Sequence, residues 1–137
     1  MCEGRGIPIG LAVDGANRHD MRMVEATLES IPVERPEIRT YWRQNLCLDK
    51  GYDYDAVRDV VKEFGYTAHI RARGEEAQKI KQRAGFKARR WVVERTHSWM
   101  NRFRYLLVRW AKKARNYLGL LHFACGIITL RHAGVLG

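Results

Sequence analysis

The sequence predicts an α/β fold, and three features carry that expectation. Short β-patterned runs occur at Ile7, Ile9, Leu11 and Val13, at Leu46-Cys47-Leu48, and at Tyr66, Ala68 and Ile70. Between them lie stretches with the three- and four-residue apolar spacing of helices. The last two segments keep that spacing over lengths strands do not reach, so the expected order is strand, helix, strand, helix, strand, then two long helices. The 137 residues, 46% of them hydrophobic, suit one domain spanning 1–137 with enough apolar material for a core.

Taken in order, the run from Ile7 to Val13 alternates apolar with small residues, and Pro8 places it at a strand start or on an edge. The chain thus opens inside a sheet, in the manner of a fragment. Asp14 to Asp20 form a turn-rich loop ending in a helix cap at Asp20, ahead of Met21, Val24, Leu28 and Ile31; Pro32 stops that helix. Loop and cap chemistry accounts for Asp14, His19 and Asp20. Residues 32–44 form a surface connection. Leu46-Cys47-Leu48 make a short buried strand with Asp49 at its carboxyl end, and Gly51 turns the chain into a helix capped by Asp53. Val57, Val60, Val61 and Phe64 are its core face and Gly65 its stop. After the strand through Ile70, Gly74 breaks the pattern, Glu75 and Glu76 suit a helix start, and a polar segment continues through Gly85. A long helix is expected from Phe86 to Trp110, then a basic elbow at Lys112, Lys113 and Arg115. The last helix starts near Asn116 and includes Leu118, Leu121, Ala124, Cys125, Ile128 and Leu130.

The 25 Lys and Arg against 15 Asp and Glu give a formal charge of +10, which points to a polyanionic partner: nucleic acid first, an anionic membrane surface as the weaker alternative. No apolar run approaches the ~18 residues of a membrane span. Met1-Cys2-Glu3-Gly4-Arg5 is followed by no apolar signal region. Cys2, Cys47 and Cys125 form no close pair, which excludes a disulfide framework and zinc spacing and suits a reducing cytoplasm. Cys47 and Cys125 are expected to be buried packing residues.

On the expected late helix, Arg90, Glu94, His97, Asn101 and Arg104 fall on one side, and Val92, Trp99, Phe103, Leu106, Leu107 and Trp110 on the other. Arg95, Arg102 and Arg109 line the flank at seven-residue steps. Trp91, Trp99 and Trp110 suit core anchors better than base-stacking platforms. Glu94 is either a solvated acid paired with Arg90, worth roughly 0.2–0.5 kcal/mol, or one ligand of a metal site completed from elsewhere. Asp49 is likewise either a turn former or a ligand at the carboxyl end of a buried strand, where α/β sheets place such groups.

Two motifs carry a family resemblance: Leu46-Cys47-Leu48-Asp49-Lys50-Gly51-Tyr52-Asp53 and Arg90-Trp91-Val92-Val93-Glu94-Arg95-Thr96-His97-Ser98-Trp99-Met100-Asn101-Arg102-Phe103-Arg104. They resemble the second and third acidic motifs of bacterial insertion-sequence DDE transposases, a group with an RNase H-like catalytic core. Gly15 to Asp20 and His69 to Glu76 also look like that group, so the similarity extends over nearly the whole chain. Both acidic motifs in this order, 94 − 49 = 45 positions apart, make the signal specific. The resemblance implies a partial RNase H-like fold with about three core strands. It implies DNA transposition by metal-dependent phosphodiester cleavage and strand transfer, with Asp49 and Glu94 as catalytic ligands of Mg²⁺ or Mn²⁺. Arg90, Arg95, His97, Arg102, Arg104, Arg109, Lys112 and Lys113 are the DNA-contact candidates, with His97 open between DNA contact and packing.

The family's first acid has no match here, and Asp14 is a poor substitute for it. The resemblance therefore implies that the first two strands lie upstream of Met1 and that the isolated chain is inactive. The Lys that many relatives place seven residues after the Glu is Asn101 here, and the Tyr of some relatives three residues before Arg90 is Lys87. The implied partners are double-stranded DNA (transposon ends and target), the upstream transposase portion and further copies of the chain, with no membrane. The implied location is the bacterial cytoplasm, near the nucleoid. The alternative is a non-catalytic DNA-binding or regulatory fragment of a transposase.

Overall fold

The computed structural model describes residues 1–15, 22–37, 43–70 and 90–136, with Arg90 described by its backbone alone. The chain divides into two compact units, one made of Met1–Val13 with Arg89–Gly137 and the other of Asp14–Ala88. The expected features at Ala16 to Met21, including His19 and Asp20, and those from Arg71 to Arg89, including Gly74, Glu75 and Glu76, lie outside the described residues.

In the unit Asp14–Ala88 the elements are α1 (Met23–Glu29), β1 (Gln44–Leu48), a single 3₁₀ turn (Lys50–Tyr52), α2 (Asp55–Glu63) and β2 (Tyr66–Ile70). The strands pair in parallel, with Leu46 opposite Ala68 and Leu48 opposite Ile70, and α2 is the crossover between them. Helix α2 packs on β2 and α1 on α2. Their shared core holds Val24, Leu28, Leu46, Val57 and Val61, and Val61 is completely enclosed. The four-residue spacing of Val57 and Val61 aims both at the sheet. Asp55 in the first turn of α2 and Lys62 in the last each oppose the helix dipole. Gly65, at φ 75°, takes the left-handed position that ends the helix, its N–H donating to the Lys62 carbonyl at 2.8 Å.

Two local expectations change in this unit. The residue capping α2 is Tyr54, not Asp53. The Asp53 carboxylate accepts from the Arg58 guanidinium at 2.6 Å instead. Cys47 is exposed, not buried: Leu46 faces the core, so strand alternation sends Asn45 and Cys47 to the opposite face. Arg35 anchors the connection ahead of β1. It donates to the Phe64 carbonyl at 2.5 Å and lies 4.4 Å from the Tyr66 ring centroid.

The other unit contains α3 (Arg90–Met100), α4 (Arg104–Leu107) and α5 (Ala114–His132). The expected helix to Trp110 ends at Met100. There the hydrogen bonds tighten to three-residue steps, Arg102 N to Trp99 O and Phe103 N to Met100 O, and Phe103 is extended at φ −89°, ψ 97°. Asn101 stands at the break, a residue whose side chain competes with helical backbone bonding, and β-branched Val108 is extended after α4. The uninterrupted apolar side therefore does not form. Val92 is buried and Trp99, Phe103 and Leu106 half-buried, but Leu107 is exposed and Trp110 is 72% exposed. Trp91, 42% exposed, is no core anchor either.

The expected first strand is also absent: among the described residues the sheet has two strands, not about three. Residues 1–10 fold back on themselves. An isolated antiparallel bridge joins Cys2 and Pro8, Glu3 N donates to Ile7 O at 2.9 Å, and the Met1 amine donates to the Gly10 carbonyl at 2.7 Å. Gly6 at φ 90° makes the reversal possible, and Pro8 has no N–H to give a neighbouring strand. No helix among the described residues is long and apolar enough to cross a membrane.

Candidate functional site

Asp49 follows β1 directly, at the carboxyl end of the parallel pair. Its backbone is still extended, φ −78° and ψ 171°, and its side chain caps the 3₁₀ turn: Oδ1 accepts from the Gly51 N–H at 2.7 Å. Tyr52 N donates to the Asp49 carbonyl at 3.1 Å, closing the same turn. A Cβ at position 51 would stand 3.0 Å from Oδ1, so the glycine keeps the cap tight. The exposed carboxylate is therefore oriented, and Oδ2 has no hydrogen bond to a described residue. Asn45, Cys47 and Asp49 share one strand parity. Beside them on β2, the His69 Nε2 lies 2.7 Å from the Asn45 Oδ1.

Glu94 stands on α3 diametrically opposite its buried side, which is formed by Val92 and Thr96. It is exposed and makes no hydrogen bond or ion pair with another described residue. The expected partner, the Arg90 side chain, lies outside the described residues.

What fixes α3 is Thr96, a polar residue only 5% exposed. Its hydroxyl donates to the Gly6 carbonyl at 2.6 Å, with the Val92 carbonyl 3.1 Å away. Gly6 packs so closely that a Cβ there would lie 3.1 Å from the Val92 carbonyl and 3.4 Å from the Arg95 side chain. The N-terminal loop thus clasps the turn of helix that carries Glu94. Sequence reasoning passed over this pair. Its available signal was a threonine one turn after Val92 on an otherwise apolar face.

The basic candidates divide by element. Arg95 stacks on Trp91 at 4.3 Å and reaches Trp99 at 5.8 Å, a cation–π arrangement along the flank of α3. His97 is exposed on the Glu94 side. Because α3 stops at Met100, Arg102 and Arg109 do not extend the line of Arg95: Arg102 sits in the break, Arg104 opens α4, and Arg109 lies 5.2 Å from the Tyr117 ring centroid. Lys112 and Lys113 are exposed just before α5. Glu94 and all these bases belong to one compact unit and Asp49 to the other.

No three His, Cys, Asp or Glu side chains converge on a ready-made metal site among the described residues. The donor chemistry nevertheless fits a hard divalent cation: exposed carboxylate oxygens, oriented at Asp49, are the ligands Mg²⁺ prefers, supplemented by water and substrate phosphate.

Comparison with known proteins adds three findings. The family described as Transposase DDE domain matches residues 46–131, an interval containing both acids. A Burkholderia cepacia protein assigned as a transposase for insertion sequence element IS402 is 29% identical over 143 residues, an alignment that takes in 96% of this chain and 62% of that relative. The chain thus spans somewhat under two thirds of the length of the curated relative it matches. No solved structure matches.

Proposed function

The chain belongs to the transposase DDE domain family of insertion-sequence transposases, and from that premise we propose that it takes part in DNA cleavage and strand transfer, with Asp49 and Glu94 as two carboxylate ligands of divalent metal. The observation that carries this reading is that both acids fall inside the family interval and both present exposed carboxylates, one of them fixed by a cap. An RNase H-like core, to which β1, α2 and β2 would contribute, belongs to the same proposal. So does a single domain in which the two compact units act together.

In this reading each residue has a chemical task. Asp49 offers Oδ2 while Gly51 holds Oδ1, so the ligand oxygen is aimed before metal arrives. Glu94 supplies a second carboxylate from a helix whose other side is locked to the N-terminal loop. Bound divalent ions supply an activated attacking oxygen and relief of charge on the leaving one. Arg90, Arg95, Arg102, Arg104, Arg109, Lys112 and Lys113 neutralise phosphates, so affinity falls steeply as salt rises. Arg95 is pre-oriented by its stack on Trp91, which favours a planar guanidinium contact to phosphate. DNA, transposon end or target, is the substrate. Mg²⁺ is the expected ion, with Mn²⁺ able to replace it.

Mn²⁺ titration of the chain, followed by paramagnetic broadening of amide signals, tests the assignment directly. Signals around Gly51 and Val93 should broaden first, and Asp49→Ala and Glu94→Ala should each raise the apparent Kd by about tenfold or more. Broadening that ignores both substitutions overturns the site. Salt-dependent DNA binding that survives with no metal dependence leaves the reading of a non-catalytic DNA-binding transposase fragment in its place.

A further inference from the structure

The sheet face opposite Leu46 carries a thiol beside an imidazole. Cys47 on β1 and His69 on β2 are partners in the parallel register, and side chains paired in this way point to the same face. A contact agrees with that: His69 reaches Asn45, which shares the strand parity of Cys47. The pairing is made by the fold, not by sequence spacing. Hydrogen bonds then decide which nitrogen of His69 is available. The Asn45 amide nitrogen donates to the Arg43 carbonyl at 3.1 Å, so the amide oxygen is the atom 2.7 Å from the His69 Nε2. An amide oxygen can only accept, and Nε2 therefore carries the proton. In the neutral ring the lone pair is left on Nδ1, which has no hydrogen bond to a described residue.

An imidazole that donates one N–H to a held oxygen and keeps its other nitrogen bare is the arrangement histidine takes as a metal ligand, the outer partner setting tautomer and ring orientation. Asn45 is such a partner, itself held by Arg43. Spacing suits one ion. Neighbouring strands lie about 4.8 Å apart, and Zn²⁺ takes bonds of about 2.3 Å to thiolate sulfur and about 2.0 Å to imidazole nitrogen. Together the two bonds span nearly the strand separation. A thiolate with an imidazole selects a borderline ion such as Zn²⁺ over Mg²⁺, which prefers oxygen. Two protein ligands leave the other coordination positions to water, in keeping with the absence of a three-residue cluster among the described residues.

We propose that the Cys47 Sγ and the His69 Nδ1 form a two-ligand site for a zinc-class divalent ion, with Asn45 as its positioning residue. The site uses neither Asp49 nor Glu94, so it stands apart from the hard-cation reading. Co²⁺ titration of the intact chain, with a phosphine reductant to keep the thiols reduced, tests it. The wild type should develop a thiolate-to-cobalt charge-transfer band that Zn²⁺ displaces and excess Mg²⁺ does not. Cys47→Ser should abolish the band, and His69→Ala should raise the apparent Kd by about tenfold or more, both with circular dichroism unchanged. Cys2→Ser, Cys125→Ser and Asp49→Ala should each retain it. Asn45→Ala should weaken binding by about tenfold, the scale of a lost outer partner. Asn45→Asp, whose carboxylate can still accept from Nε2–H, should restore it. A band that survives Cys47→Ser, that follows Cys2 or Cys125, or that is lost with Asp49→Ala overturns the proposal. So does binding indifferent to both His69→Ala and Asn45→Ala, or no band at all in wild-type chain whose circular dichroism shows it folded.

Discussion

The two acids are held in place by opposite means. Asp49, in the unit with the sheet, is fixed by its immediate neighbours: β1 delivers it, and Gly51 N–H grips its carboxylate two residues on. Glu94, in the helical unit, has no such local support and depends on a hydrogen bond between Thr96 and Gly6, 90 positions apart in the chain. One carboxylate is oriented by a turn; for the other only the helix beneath it is fixed, by the contact of Thr96 with Gly6. The difference teaches where each can be broken: Asp49 answers to changes beside it, and Glu94 to changes at the far end of the chain.

The largest effect should therefore come from the clasp. Gly6→Ala forces a side chain onto φ 90° backbone and sets its Cβ 3.1 Å from the Val92 carbonyl. Strain of this kind costs about 1–3 kcal/mol. Thr96→Val keeps the shape but leaves the Gly6 carbonyl without its donor, also a loss of about 1–3 kcal/mol. Both should lower the midpoint of chemical denaturation, and hydrogen exchange should speed up along Arg90–Met100 while the Gln44–Leu48 strand keeps its protection. Thr96→Ser, which retains the hydroxyl, should recover most of the loss. Equal loss of protection in both segments erases the contrast between the two units.

The same contrast explains what could be seen in the sequence. The crossover from β1 through α2 to β2 was legible because its signals are local: Val57 and Val61 in helical step, Gly65 at the stop, Asp49 after an apolar triplet. The strand expected at Ile7 to Val13 was not formed because alternation reports only a face, whereas the chain there closes on itself through Met1, Glu3 and Gly10. Periodicity also ran straight through Asn101, where the backbone stops, and so joined Arg95, Arg102 and Arg109 into a line the fold does not make. Cys47 looked buried by company, but its position next to an inward Leu46 decides the matter. The clasp of Gly6 and Thr96 carries no local signature at either end.

A second test uses protons and acts on the helical unit alone. Burial lowers the Met1 amine below its ordinary value of 8.0 and raises the Cys125 thiol above its ordinary 9.0. For the amine the unfolded chain binds more protons, so stability is present above pH 8.0 and is lost as pH falls through the lowered folded value. For the thiol the folded chain holds its proton longer, so stability is lost as pH rises beyond 9.0. The contribution of these two groups is greatest between 8.0 and 9.0. Comparing wild type with Cys125→Ala across this range, the variant should lack the alkaline decline and keep the acidic one. An alkaline decline identical in both proteins removes Cys125 from the account.

The smallest effect on stability should carry the most information about Asp49. Asp49→Ala deletes the cap, a loss of about 0.5–2 kcal/mol for capping residues generally, and the low end is expected for an exposed turn of three residues. Asp49→Asn leaves an oxygen to accept from Gly51, so stability should stay within about 0.5 kcal/mol of wild type. Yet it removes the negative charge that a hard cation requires. The two substitutions thus pull apart the turn-forming and ligand roles that sequence left open: denaturation midpoints register the first, Mn²⁺ broadening near Gly51 the second. Should Asp49→Asn bind Mn²⁺ as wild type does, the carboxylate is there for the turn, and its local support has nothing to do with metal. If broadening vanishes while the midpoint holds, the cap serves to aim a ligand, and the sheet end has been built around its charge.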